Sequence, residues 1–239
     1  MPKLDKATVA SAGAVGIGEL NEGGLHADLK ARYAGSEGLT EVPVESFVAD
    51  VLLDEVIYEV QTGSFSGLRR KMAALLERRD VVLIHPIARR STMVKLPRDA
   101  KSKTTRRKVP GEGRLAHILG ELIYLPDLLN HPGFSVEVVI TEEEQIRVWD
   151  DRKRRGLGGW RVHERRLLDV YETWRITSPA DLLSLLEGQL PDQFTTRQLA
   201  DLMDEPLHFG QKMAYCLRHA GYTEICDKQG NSLVYRLTN

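Results

Sequence analysis

The sequence predicts an α/β core followed by a small unit of three helices and a β-hairpin. Three observations predict it. Over residues 24–84 the apolar spacing reads helix, strand, strand, helix, strand. Residues 81–84, Val81-Val82-Leu83-Ile84, form a continuous apolar run, as in a strand buried on both faces. Beyond residue 177, capped helical segments give way to two short extended pieces around a polar turn.

Residues 1–16 read as a flexible tail. The opening MPKLDKATVASAGAVGIG carries Asp5 and lacks the Leu- or Ile-rich centre of a secretion signal. Leu25, Leu29 and Tyr33 then recur at helical spacing, and Gly35 and Gly38 end that helix. Pro43 marks an edge or a break in the extended stretch 40–44. Residues 47–53 and 56–60 are short and rich in β-branched residues, and Asp54-Glu55 between them suits a tight hairpin turn. Phe65, Leu68, Met72, Leu75 and Leu76 return to helical spacing, and the strand over 81–84 is expected to stop at His85-Pro86. Residues 98–113 are a Lys/Arg/Thr/Gly-rich loop without apolar period. Residues 114–129 are helical in pattern and 134–140 alternate like a strand. Residues 146–149 and 160–176 look largely extended, the latter fitting more than one period. Ser178-Pro179 caps and opens a helix over ADLLSLLEG, and Thr195 caps TRQLADLM. A third helix runs from Pro206 to His219, with Gly221 placed to stop it. Extended pieces over 222–226 and 233–237 flank a turn at 227–231. Three helices and a hairpin are the plan of a winged helix, so the chain divides into 1–16, 17–176 and 177–239.

Hydrophobic residues make up 42% and charged residues 28%, a globular balance rather than a disordered one. No apolar run approaches the roughly 18–20 residues needed to cross a bilayer, so no membrane segment is expected. Cys216 and Cys226 are the two cysteines, which makes free thiols in a reducing cytoplasm the expectation. With His219 they lack the fourth ligand of a structural zinc site. The net charge of −1 argues neither for nor against nucleic acid. Its distribution says more: ten Lys/Arg against Asp99 and Glu112 lie between Arg89 and Arg114, and Arg152-Lys153-Arg154-Arg155 precede Arg161, Arg165 and Arg166. Such segments are either an electrostatic footprint for phosphate or a solvated loop face.

The chemistry-bearing stretch is residues 48–63, VADVLLDEVIYEVQTG. A hairpin around Asp54-Glu55 brings Asp50 near Glu59, and Glu59 and Gln61 point to one face of their strand. Two carboxylates with phosphate oxygens and waters suit Mg²⁺ or Mn²⁺, which lowers the pKa of a bound water and neutralises charge on a scissile phosphate. A third acid from the preceding helix would complete the set, with Glu22 the choice and Glu19 its rival. The competing account is an ordinary hairpin whose polar residues face solvent. His85 either caps its strand or faces the site edge, and His26 is placed for DNA contact or chemistry.

This arrangement resembles the PD-(D/E)XK nuclease superfamily over residues 18–88: a helical Glu22, Ala49-Asp50 on a strand, then Glu59-Val60-Gln61 on the next. The resemblance implies a restriction-endonuclease-like core with a mixed central sheet flanked by helices, and Asp50, Glu59 and Glu22 as metal ligands. Ala49 stands where the superfamily has Pro. Gln61 stands where it has Lys, and Gln can hold a water but brings no positive charge. Lys71 or Arg70 on the next helix could supply that charge. His26, Lys30, Arg69 and Arg70 would meet DNA beside the site, and Arg106, Arg107 and Lys108 would clamp backbone from the basic loop. In the winged helix, the third helix would present Gln211, Lys212, Tyr215 and Arg218 to a groove, with Lys228 at the wing tip.

Two functional readings follow. The first is a metal-dependent DNA endonuclease, structure- or lesion-specific, that hydrolyses phosphodiester bonds of duplex or branched DNA in repair, recombination or defence, alone, as a homodimer, or with a helicase or other partner. The second is a decayed nuclease fold, marked by Gln61, that serves as a DNA-binding regulatory module.

Overall fold

The computed structural model describes residues 23–151 and 159–238. The expected tail at 1–16 and the basic run at 152–155 lie outside the described residues.

Helix α1 (Gly24–Ala34) leads into strands β1 (Leu39–Val44), β2 (Phe47–Leu53) and β3 (Val56–Val60). Helix α2 (Arg69–Leu76), strands β4 (Val81–Lys95) and β5 (Thr105–Lys108), and the short helix α3 (Leu119–Leu122) follow. Strands β6 (Phe134–Asp150) and β7 (Gly159–Ile176) are the longest elements. The chain closes with β8 (Phe194–Thr195), α4 (Thr196–Leu202), α5 (Leu207–His219), β9 (Thr223–Gln229) and β10 (Ser232–Leu237). The large sheet runs β1-β2-β3-β4-β6-β7, with β5 also paired to β4. β3 and β6 lie parallel to β4, and the other pairs are antiparallel. The protein is therefore α/β, with a mixed central sheet flanked by helices. A second sheet, β8-β10-β9, belongs to the C-terminal elements.

The β2–β3 hairpin is dictated locally. Asp54 and Glu55 both adopt positive φ, 48° and 66°, the backbone of a two-residue turn whose twist matches the flanking strands. Each face of the sheet then buries its own cluster. α1 lays Leu25 and Leu29 over Val60, Val82, Ile84 and Val139 on one face. On the other, Met72 and Leu75 of α2 join Leu83, Val136, Val138, Ile118 and Leu122. The C-terminal helices extend that second cluster with Leu199, Met213 and Leu217. α4 and α5 approach so closely that a Cβ on Gly210 would sit 2.0 Å from the Thr196 carbonyl oxygen, so only glycine fits there.

Several expectations are corrected. β4 does not stop at His85-Pro86 but continues to Lys95. Even-numbered residues of this part of β4 turn their backbone toward β3, as the Gln61 N–H to Ile84 carbonyl bond shows. β3 ends at Val60, so the N–H that Pro86 lacks falls where no strand would have received it, and proline is tolerated. Part of the basic loop is a strand, because β5 pairs Thr105–Lys108 with Thr92–Lys95. The helical pattern over 114–129 resolves into a 3₁₀ turn at Leu115–Ile118, α3, and another 3₁₀ turn at Pro126–Asn130. Pro126 pushes Leu125 out of the helical region and ends α3's run. The ADLLSLLEG segment is a 3₁₀ helix, Pro179–Leu185, with Ser178 and Asp181 forming a capping box. The final hairpin turns more tightly than expected, at Gly230-Asn231.

Candidate functional site

The β2–β3 hairpin brings Asp50 and Glu59 together, 8% and 4% exposed. Asp50 Oδ2 accepts the Val60 N–H at 2.7 Å and lies 3.1 Å from His26 Nε2. Glu59 Oε2 accepts the Asp50 N–H at 3.4 Å, and Lys71 donates its ammonium to Glu59 Oε1. His26 comes from α1 and Lys71 from α2, the helices on opposite faces of the sheet, so the carboxylate pair is held from both sides. Glu22 lies outside the described residues. Among the described residues, no three His, Cys, Asp or Glu side chains form a metal-ligand group.

Burial raises the carboxyl of Asp50, but the His26 hydrogen bond and charge, the Val60 N–H and Lys71 together outweigh it and hold it below the usual aspartate range. Burial also raises Glu59, and the Asp50 charge beside it adds to the rise against Lys71, bringing it to about 7. The two carboxylates are thus pushed apart, one ionised and one readily protonated. This has a consequence for stability. The unfolded Glu59 releases its proton near 4.5 and the folded one near about 7, so between these values the folded state binds more protons. Stability then falls as pH rises through that window, whereas Asp50 contributes stability that is lost as pH falls below the ordinary aspartate range. Urea unfolding of the wild type relative to Glu59→Gln is expected to worsen with rising pH there, by up to about 1.4 kcal/mol per pH unit. A difference independent of pH would mean that Glu59 is ionised throughout, as a fixed partner of Lys71.

Beyond Glu59 the chain leaves the sheet in a loop. The Gln61 side-chain amide donates to the Ser64 carbonyl at 2.7 Å, so it braces this loop. His85 donates from Nδ1 to the Gln61 carbonyl at 2.7 Å and packs edge-on against Phe65. Burial lowers its pKa, which favours the neutral ring. Arg165 of β7 donates to the Thr62 carbonyl at 3.1 Å and grips Glu143 Oε2 through two nitrogens at 2.9 and 2.7 Å. Glu143 is fully buried, and its other oxygen takes the Thr141 hydroxyl at 2.8 Å. Sequence reasoning placed Arg165 in a basic run and missed Glu143. The available signal was an acidic triplet, Glu142-Glu143-Glu144, just beyond the apolar run Val138-Val139-Ile140 of the same strand.

The remaining candidates separate by burial. Lys30 is 8% exposed with its ammonium on Glu41. Arg69 is exposed but bonded to Asp127 at 2.5 Å, while Arg70 is exposed beside it on α2. Arg106 pairs with Glu144 at 2.6 Å, and Arg107 and Lys108 stand exposed on β5. On α5, Gln211, Tyr215 and Arg218 are exposed, but Lys212 is half-buried with its ammonium 5.4 Å from the Phe209 ring. Lys228 is exposed near the end of β9.

The chain matches, over residues 23–177, the family model described as a domain of unknown function (DUF8091). It is also 30% identical over 221 residues to a Treponema pallidum (strain Nichols) protein described as uncharacterized, covering 92% of this chain and 87% of that one. No solved structure matches it. The matched family segment runs from the start of α1 to the end of β7, and includes the whole large sheet with Asp50, Glu59, Lys71, Glu143 and Arg165. The chain belongs to the DUF8091 family.

Proposed function

We propose that this protein is a metal-dependent DNA endonuclease of the PD-(D/E)XK kind. One observation carries the reading: Asp50 and Glu59, buried on adjacent strands of a mixed sheet, share a site with Lys71 of the following helix, bonded to Glu59. In this reading the segment 17–176 is a restriction-endonuclease-like core. The segment 177–239 is a winged helix, whose α5 offers Gln211, Tyr215 and Arg218 to duplex or branched DNA.

The donor set fits a hard divalent cation. Burial, and after it the neighbouring Asp50 charge, raises Glu59, and both side chains carry oxygen donors of the type Mg²⁺ and Mn²⁺ prefer. Such an ion would supply an activated water and charge neutralisation at the scissile phosphate. The chain's own residues do the rest. His26 and the Val60 N–H fix the orientation of Asp50. Lys71 takes the place that Gln61 leaves open, because its ammonium reaches the same carboxylate from α2 and is positioned to donate to a water or a phosphate oxygen. One observation favours the second reading, a DNA-binding regulatory module: the Gln61 amide is spent on the Ser64 carbonyl.

The test is cleavage of labelled single strand, duplex, flap, fork and junction DNA with Mg²⁺, Mn²⁺ or EDTA. Metal-dependent cutting is expected, and Lys71→Ala should slow it by about 10²- to 10⁴-fold, the range of a positioned proton donor. Full activity in that variant would remove Lys71 from the mechanism. Binding without cutting under every metal would favour the regulatory module.

A further inference from the structure

Beyond the core, β4, β5, β6 and β7 continue as a four-stranded arm, and the strand register sorts its side chains by face. Residues directly paired across strands share a face. One row is Arg107-Met93-Gln145-Arg165, and Arg165 is the residue that donates to the Thr62 carbonyl beside the candidate site. The next row on that face is Thr105-Lys95-Arg147-Val162, and beyond it Trp149 pairs with Trp160. The indoles meet edge to face at 5.7 Å, with the Lys95 ammonium 4.9 Å from the Trp160 ring centre and the Arg98 guanidinium 4.2 Å from that of Trp149. From Glu143 to Trp149 is six residues of strand, about 20 Å at the usual rise.

A single arm face thus carries cations outward from the candidate site and ends in two half-buried tryptophans. Over residues 95–108 the chain has seven Lys/Arg and one acid, Asp99. Glu144, on the opposite face, is already paired with Arg106. A charged track leading to an aromatic platform is what an unpaired strand requires: cations follow the phosphates, and indoles stack on bases of any sequence. Duplex DNA hides its base faces and would leave the tryptophans without a role.

We propose that this arm face binds a single-stranded DNA segment, with Trp149 and Trp160 stacking on its bases and Lys95, Arg107 and Arg147 following its backbone. Resting on the nuclease reading, this assigns the substrate as DNA with an unpaired strand next to the cut, as in a flap or fork.

Binding is measured with the full chain in EDTA, so that cleavage plays no part, using fluorescein-labelled oligo(dT) and a duplex of equal length. Trp149→Ala with Trp160→Ala is expected to weaken oligo(dT) binding at least tenfold and duplex binding less than twofold. Arg107→Glu, at an exposed position away from the indoles, covers the case in which the double variant loses the arm's fold. It is expected to weaken oligo(dT) binding and flatten its salt dependence without changing the melting temperature. Unchanged oligo(dT) affinity in both variants overturns the proposal, as does an equal loss on duplex. Tighter binding of an RNA of the same length overturns the assignment to DNA. The two readings fail separately: oligo(dT) binding that needs the tryptophans, in a protein that cuts nothing, keeps the arm and removes the nuclease. Metal-dependent cutting that ignores the arm variants does the reverse.

Discussion

Glu59→Gln is expected to abolish DNA cleavage while leaving the fold in place. Glutamine keeps the shape of the side chain and an oxygen for the Asp50 N–H, which Glu59 accepts at 3.4 Å. It removes the negative charge that any divalent cation at this site would need. It also leaves the Lys71 ammonium without its carboxylate partner. The loss should be on the order of 10³-fold or more, at least the scale seen when one group that stabilises transition-state charge is deleted. Asp50→Asn should behave alike, because asparagine can still accept the Val60 N–H but carries no charge. The measurement is single-turnover cleavage of the preferred substrate at saturating Mn²⁺, beside circular dichroism to verify folding. Cleavage by a folded Glu59→Gln protein within tenfold of wild type would sink the assignment of this site.

Arg165→Ala is expected to be among the most destabilising single changes in the chain. Glu143 is fully buried, and Arg165 is the cation that meets it. Removing the arginine strands a carboxylate in the interior and frees the Thr62 carbonyl. Breaking a buried pair from one side typically costs about 3–5 kcal/mol, because the remaining charge is left uncompensated. Urea unfolding at neutral pH measures this directly. Replacing both partners, Glu143→Leu with Arg165→Met, should recover most of the loss, since an apolar pair of similar volume avoids desolvating either charge. A single variant within about 1 kcal/mol of wild type would place the Glu143 charge in a better-solvated environment than its burial implies.

Local physics made much of the fold legible. Leu25, Leu29 and Tyr33 identify α1 because helical periodicity is a property of the segment alone, and Asp54-Glu55 identify the hairpin because turn backbone is set by two residues. The nearness of Asp50 and Glu59 follows from that hairpin. The bounds of β4 were not legible. Whether Pro86 breaks a strand depends on what faces its nitrogen, and that is decided by where β3 ends, more than twenty residues earlier in the chain.

The amino-acid order by itself determined the alternation of helices and strands, the hairpin, and the meeting of two carboxylates upon it. Tertiary structure alone decided which cations those acids would meet. Lys71 reaches Glu59 because α2 packs its apolar face on one side of the sheet, and His26 reaches Asp50 because α1 packs on the other. Arg165 reaches Thr62 across 103 residues through a β6–β7 ladder whose three register shifts set the facing rows. Periodicity encodes which face a side chain takes, but a partner across the sheet depends on strand order and register, which are settled only when the whole core closes.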